Sequence, residues 1–261
     1  TQVGSSAASD VYKRQAVYIR PQNGLDEPYE RFNWDAPILV SQHDPKRIYF
    51  GSQRVWRSEN RGDSWNPISS DLTKNEERLA LPIMGRQQSW DAAWDVYAMS
   101  TYNTITSLAE SAQDENILYA GTDDGLLHAT KDGGATWSTQ TVDKLPDVPA
   151  TAFINDIKAD IFDANVAYVA LDNHKFGDYR PMLYKTTNGG KSWKSITKGI
   201  PDGTLIWRLV QDHVNPQLLF LGTEYGVYVS LNQGEAWHKF SNGMPTICLL
   251  YTSPSPRDFT E

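Results

Sequence analysis

An eight-residue pattern occurs four times in this chain of 261 residues. It reads SENRGDSW at 58–65, TKDGGATW at 130–137, TTNGGKSW at 186–193 and SLNQGEAW at 230–237. The shared template is Ser/Thr, any residue, Asp/Asn, any, Gly, two of any kind, then Trp. Each fixed position suits a tight turn between two strands. The side chains of Asn60, Asp132, Asn188 and Asn232 can accept hydrogen bonds from backbone N–H groups ahead of them. Gly62, Gly134, Gly190 and Gly234 suit a backbone with positive φ. Trp65, Trp137, Trp193 and Trp237 open the next strand, each ring anchoring its own turn. Four occurrences in register mark an internal repeat, which constrains the fold more than any other feature.

The sequence around each motif repeats as well. Before the first come the apolar run Pro37–Ser41, the turn HDPKR and the strand-like IYFGS at 48–52. The second unit offers SLAES at 107–111, ILYAGT at 117–122 and GLLHAT at 125–130. The third has DIKADI at 156–161 and VAYVALD at 166–172, and the fourth LIWRLVQD at 205–212 and LLFLGT at 218–223. Four short strands separated by turn signals make one propeller blade. No unit carries a helical period. The chain is therefore read as all-β, a partial β-propeller of about four four-stranded blades at 37–69, 107–141, 156–197 and 205–241. Residues 16–36 read as the end of a preceding blade or a loop.

Successive motif tryptophans are 72, 56 and 44 residues apart. The widest gap holds an insertion at 70–106, and loops this long usually carry function or are disordered. Its aromatics, Trp90, Trp94, Tyr97 and Tyr102, argue for a packed loop. Trp90 and Trp94 bracket Asp91 and Asp95, a platform for stacking sugar rings or proline-rich peptide, or equally a pin that fastens the loop.

The two ends read differently. SSAASDVYKRQ at 5–15 and CLLYTSPSPRD at 248–258 can be encoded by the two adaptors of transposase-based library preparation. AGATGTGTATAAGAGACAG in the first is the reverse complement of CTGTCTCTTATACACATCT, which the second matches if the codon of Ile247 ends in C. Residues 1–15 and 248–261 are thus expected to be adaptor-derived, with further blades of the same chain missing. The charges in these ends cancel, so the net charge of −8 belongs to the rest. An acidic chain without Lys/Arg blocks argues against nucleic acid or anionic membrane as the main partner. No stretch reaches the roughly 18 apolar residues of a membrane span. Cys248 is the one cysteine, so no disulfide or Cys-ligated metal is expected, and no cofactor is implied.

Propeller topology places the turns between second and third strands on the face opposite the repeated motif. That face gathers Asp123, Asp124, Asp172, His174, Glu224 and Tyr225. Two carboxylates about 5–10 Å apart can hydrolyse a glycosidic bond, and Asp123, Asp124, Asp172 and Glu224 are the candidates. The competing reading has these acids capping turn N–H groups. His174 suits acid/base work or metal ligation, or a bond to a neighbouring turn. With no second nearby histidine, no metal site is expected.

The motif resembles the Asp-box of sialidases, sortilin-type receptors and related β-propellers. Together, RFNWDAPILVSQHDPKRIYFGSQRVWRSENRGDSW, LYAGTDDGLLHATKDGGATW, ALDNHKFGDYRPMLYKTTNGGKSW and QDHVNPQLLFLGTEYGVYVS resemble bacterial exported propellers similar to the sortilin amino-terminal domain. These are often labelled glycosyl hydrolases with BNR repeats. The resemblance implies a large multi-blade propeller in an exported protein. Arg54, Arg57, Arg86, Arg180 and Arg208 lack the context of the sialidase arginine trio, and the aspartate pair of xyloglucan-cleaving propellers does not map residue by residue. Two functions are therefore carried: a binding or scaffold domain for glycan or peptide, and a glycoside hydrolase.

Overall fold

The computed structural model describes residues 7–10, 15–25, 27, 29–77, 80–83, 86, 87, 89, 101–241 and 243. Among these, regular structure is almost wholly β, and helix is confined to short 3-10 turns. Four antiparallel sheets of four strands each carry the repeat. Blade 1 is β3 (Ile38–Val40), β4 (Ile48–Gly51), β5 (Val55–Ser58) and β6 (Asn66–Pro67). Blade 2 is β9 (Ile105–Glu110), β10 (Leu118–Thr122), β11 (Leu126–Thr130) and β12 (Ser138–Thr141). Blade 3 is β13 (Phe153–Ala159), β14 (Ala167–Asn173), β15 (Asp178–Thr186) and β16 (Lys194–Ser195). Blade 4 is β17 (Ile206–Gln211), β18 (Leu219–Thr223), β19 (Gly226–Ser230) and β20 (His238–Phe240). Each sheet is a meander in which sequence neighbours pair. Two-stranded pairs lie outside the blades: β1 (Ala7–Asp10) with β2 (Gln15–Tyr18), and β7 (Pro82–Ile83) with β8 (Arg86–Gln87).

The burial pattern follows from stacking these sheets face to face. β10 and β14 are buried along their whole length, while the outermost β6, β16 and β20 are exposed. A second strand covered on both faces reads as a continuous apolar run, as VAYVAL does. Three apolar clusters fill the gaps between blades. One joins Tyr49 and Val55 to Leu108 and Leu118, the next Tyr119 and Leu127 to Ile157 and Tyr184, the third Tyr168 and Leu183 to Leu209 and Trp237. Fully burying a side chain such as Ile157 or Leu219 contributes roughly 1.5–3 kcal/mol.

The glycine that closes the second strand marks where the next blade's first strand approaches. A Cβ on Gly51 would lie 3.0 Å from Ile105 Cγ2, and one on Gly121 only 2.3 Å from Ile154 Cγ2. Gly222 meets nothing nearer than Arg208, at 3.9 Å. Backbone amides of the first strands are tied in the same direction. Ile157 N donates to Ser107 Oγ and Leu209 N to Asp156 Oδ2, both at 2.9 Å.

All four octapeptides close with one network. The first hydroxyl accepts from the glycine N–H at 2.8–3.0 Å and donates to the Asp or Asn carboxyl or amide oxygen at 2.7–2.9 Å. That oxygen in turn accepts from the backbone N–H just before the Trp, at 2.9–3.0 Å. The glycines sit at φ between 84° and 98°. The tryptophan does more than anchor its own turn. Nε1 of Trp137 donates to the Ile68 carbonyl at 3.0 Å, and that of Trp237 to Ile196 at 2.7 Å. In both cases the acceptor lies three residues past the preceding blade's tryptophan. Trp65 makes the same bond to Ile19 at 2.6 Å, so residue 19 occupies the place of Ile68 and Ile196.

Candidate functional site

At or next to the end of each second strand stands a residue at the same place in the repeat: Gln53, Asp123, Asp172 and Glu224. In the first two blades it holds the backbone that enters that blade's own first strand. Arg31 N donates to Gln53 Oε1 at 2.8 Å. Thr104 N and Oγ1 donate to Asp123 Oδ1 and Oδ2 at 2.8 and 2.7 Å. Asp123 thus has both carboxylate oxygens engaged. Burial nevertheless pushes its carboxyl up to about 7, with Asp124 adding to the shift and Lys175 opposing it.

Asp124, 3 % exposed, fastens the start of the insertion. Thr122 Oγ1 donates to its Oδ1 at 2.5 Å and Lys74 N to its Oδ2 at 2.6 Å. Burial pushes it up as well. Asn103 then pins residue 76 in both directions, with Glu76 N donating to Oδ1 at 3.0 Å and Nδ2 donating to the Glu76 carbonyl at 2.8 Å. Trp90, Asp91, Trp94 and Asp95 lie outside the described residues.

In blade 3 the equivalent carboxylate turns to a different partner. Asp172 has a side chain 1 % exposed and accepts from His174 N at 2.7 Å. The His174 ring bonds it through Nδ1, 2.8 and 2.7 Å from the two oxygens. Asp172 thereby fixes the plane of an imidazole whose side chain is 35 % exposed. That ring meets Phe153 edge-on at 6.3 Å on one side and Trp207 at 6.4 Å on the other. Lys175 Nζ sits 4.9 Å from the Phe153 centroid, a cation–π distance. A continuous row results: Asp123 in blade 2, Lys175, Phe153 and His174 in blade 3, Trp207 in blade 4.

Glu224 and Tyr225 are exposed on the β18–β19 turn, beside the end of β17 that carries Trp207. The structure brings Asp172 to His174 directly, and sets Asp123 in the field of Asp124 and Lys175. Each of Asp123, Asp124 and Asp172 spends its oxygens on protein donors. Phe153 and Trp207 escaped the sequence reading because both sit in strands that look like ordinary apolar stretches. The signal available was positional: each lies at the end of a first strand nearest the turn face. Among the described residues, no group of three or more His, Cys, Asp or Glu side chains could hold a metal ion.

Comparison with solved structures supports the architecture. The chain superposes on an ancestral GH74 enzyme with a TM-score of 0.59, at 20% identity, over 84% of this chain and 25% of that one. It matches the GH74 xyloglucanase from Xanthomonas campestris with a TM-score of 0.54, at 21% identity, over 78% of this chain and 29% of that one. The fold is a β-propeller arc. The Swd1 β-propeller domain from Myceliophteria thermophila gives a TM-score of 0.50 at 12% identity, over 83% of this chain and 58% of that one. The chain therefore spans between a quarter and three tenths of the length of the two GH74 structures. No family model and no curated protein matches the sequence. Among the described residues, no helix is long and apolar enough to cross a membrane.

Proposed function

We propose that this arc is a ligand-binding face of an exported propeller, taking a glycan or an extended peptide across blades 2 to 4. The observation that carries this reading is the row Phe153–His174–Trp207 with Lys175 above it. Partly exposed aromatic faces stack on sugar rings and on proline, and a fixed imidazole adds one directed hydrogen bond. Further blades of the same chain would close the wheel. The bond from Trp65 to Ile19 supports that reading, because residue 19 plays the part of a preceding blade's fourth strand.

A second reading, glycoside hydrolysis, has one observation in its favour. A carboxyl raised to about 7 is suited to protonating a leaving group, and two of the structural neighbours are named as GH74 proteins. Against it, the oxygens of Asp123, Asp124 and Asp172 are all engaged by protein donors.

Calorimetry with xyloglucan oligosaccharides and with proline-rich peptides separates these readings. Binding to one of them, weakened about tenfold or more by Trp207→Ala, is the expected result. Unchanged affinity in Trp207→Ala and in His174→Ala sinks the binding-face assignment. Measured cleavage of xyloglucan that Asp123→Asn abolishes replaces it with the hydrolase.

A further inference from the structure

Blade 3 departs from the repeat at the turn face. Its second and third strands, β14 and β15, run to seven and nine residues, where those of blades 2 and 4 have five each. The added length carries the hairpin to the 3-10 turn His174–Phe176, closed by Gly177 at φ 77°. The duty of holding the entry to the blade also passes to another residue. Gln53 and Asp123 perform it in blades 1 and 2, whereas in blade 3 Thr151 Oγ1 donates to Asn173 Oδ1 at 2.9 Å. Asp172 is thereby released to serve His174.

The outcome is an imidazole with a distinct inner and outer nitrogen. Nδ1 lies 2.7 and 2.8 Å from the two oxygens of the buried Asp172. A carboxylate only accepts, so the proton of the neutral ring sits on Nδ1 and Nε2 keeps its lone pair. Nε2 has no protein partner among the described residues. It is also not one of the buried polar atoms left unpaired there, which are Tyr119 Oη, His128 Nε2 and Trp193 Nε1. It therefore opens to solvent, on a side chain 35 % exposed. The rings of Phe153 and Trp207 flank it at 6.3 and 6.4 Å, and the Lys175 ammonium stands 4.9 Å from the Phe153 centroid. A base, two apolar walls and a cation share one small region.

We propose that Asp172 and His174 form a water-activating dyad that hydrolyses carboxylic esters with an apolar acyl group. His174 Nε2 takes a proton from water as the water oxygen bonds to the acyl carbon, and the carbonyl electron pair moves onto oxygen, where the Lys175 ammonium balances it. Collapse of the tetrahedral species re-forms the carbonyl and breaks the bond to the alcohol oxygen, which takes the proton back from Nε2. The products are a carboxylic acid and an alcohol, and no covalent enzyme intermediate forms. The acyl group lies against Phe153 and Trp207. Asp172 is the positioning residue: it touches neither water nor ester, and fixes the tautomer that leaves Nε2 free. Binding across the row and hydrolysis beside it are separable by experiment.

The test follows hydrolysis of 4-nitrophenyl butyrate, and release of acetate from acetylated xylo-oligosaccharides, by the full chain against imidazole at equal concentration. A rate about 100-fold or more above imidazole is expected, the low end for general-base catalysis. His174→Gln is expected to remove it. His213→Gln, on the turn between β17 and β18 at the other end of the strands, is expected to leave it intact. Asp172→Asn presents an N–H to Nδ1 and so drives the proton to Nε2. It is expected to lower kcat about 100-fold or more, with KM held within about twofold. A rate no greater than that of imidazole overturns the proposal, as does a full rate in His174→Gln or an unchanged kcat in Asp172→Asn. Should either variant fold poorly, the ring nitrogen shifts of the unaltered protein decide, and a neutral His174 protonated at Nε2 overturns it equally. Glycan affinity that depends on Trp207, without ester hydrolysis, overturns the dyad and leaves the binding face standing. Ester hydrolysis without affinity for glycan or peptide does the reverse.

Discussion

Asp123 and His128 titrate with opposite consequences, and the signs follow from which state holds the proton. Asp123 is raised from 3.8 to about 7. Between those values the unfolded chain has lost a proton that the folded one keeps, so stability falls as pH rises through that window. Asn at this position can still accept from Thr104 N through its Oδ1, its Nδ2 must donate to Thr104 Oγ1 in a bond of reversed direction, and it has no charge to bury. Asp123→Asn is therefore expected to abolish that slope and to gain on the order of 1–2 kcal/mol at pH 8, read from melts between pH 4 and 8. A slope unchanged in the variant assigns the titration to another group. His128 is lowered from 6.5 to about 4, so its contribution is present above pH 6.5 and is lost as pH falls toward 4. His128→Phe is expected to flatten the acid side of the profile. Neither effect was legible in the sequence, where Asp123 is one of several turn acids and His128 one residue of an apolar strand. Both shifts come from burial among residues distant in sequence, and the hydrogen-bond partners that oppose them, Thr104 and Leu72, lie 19 and 56 positions away.

At the scale of single elements, the repeat supplies its own controls. Trp137 donates its indole N–H to Ile68, whereas the Trp193 N–H is buried and unpartnered. Trp137→Phe should cost about 1–2 kcal/mol more than Trp193→Phe, since only the first strands a carbonyl acceptor. Equal costs in chemical denaturation would remove the hydrogen bond from the account of blade joining. The second-strand glycines divide in the same way. Gly121→Ala pushes a methyl into Ile154 and is expected to destabilise by about 1–3 kcal/mol. Gly222→Ala has open space around it and is expected to cost less than 1 kcal/mol. The octapeptide turn was legible because its bonds are local, spanning two to four residues. The four-stranded make-up of the units was legible for the same reason, being set by alternation and turn residues. The reach of Trp137 and Trp237 to the previous blade was not, because that acceptor is chosen by how two sheets stack.

For the whole molecule, the turn face was placed by topology before any side chain was located. Knowing that strands two and three meet on one side brings Asp123, Asp172 and Glu224 to a common surface. What the sequence could not convey is how the carboxylates are employed. Asp123 and Gln53 hold the entry to their blades, and Asp172 instead orients an imidazole between two aromatic rings. The acids are thus the frame of that surface, and the aromatic row is its exposed content. Trp207→Ala, which removes one end of the row without touching the frame, is expected to lower ligand affinity with little change in melting temperature. A loss of several kcal/mol in stability would instead make Trp207 part of the frame.

The bond from Trp137 and Trp237 to a carbonyl three residues past the preceding blade's tryptophan also bears on how such a chain lengthens. Blade 1 carries both halves of the joint: the Trp65 indole that reaches back and the Ile68 carbonyl that receives the next unit's indole. A tandem duplication of one unit therefore arrives with compatible connectors at each end, and no resident residue has to change to admit it. The copied glycine likewise makes room for the isoleucine it must face, as Gly134 does for Ile68 and Gly234 for Ile196. Selection is then free to act on the exposed turns alone. Unit number and surface chemistry can drift independently, as they would in a tiling whose edges are fixed and whose faces are blank.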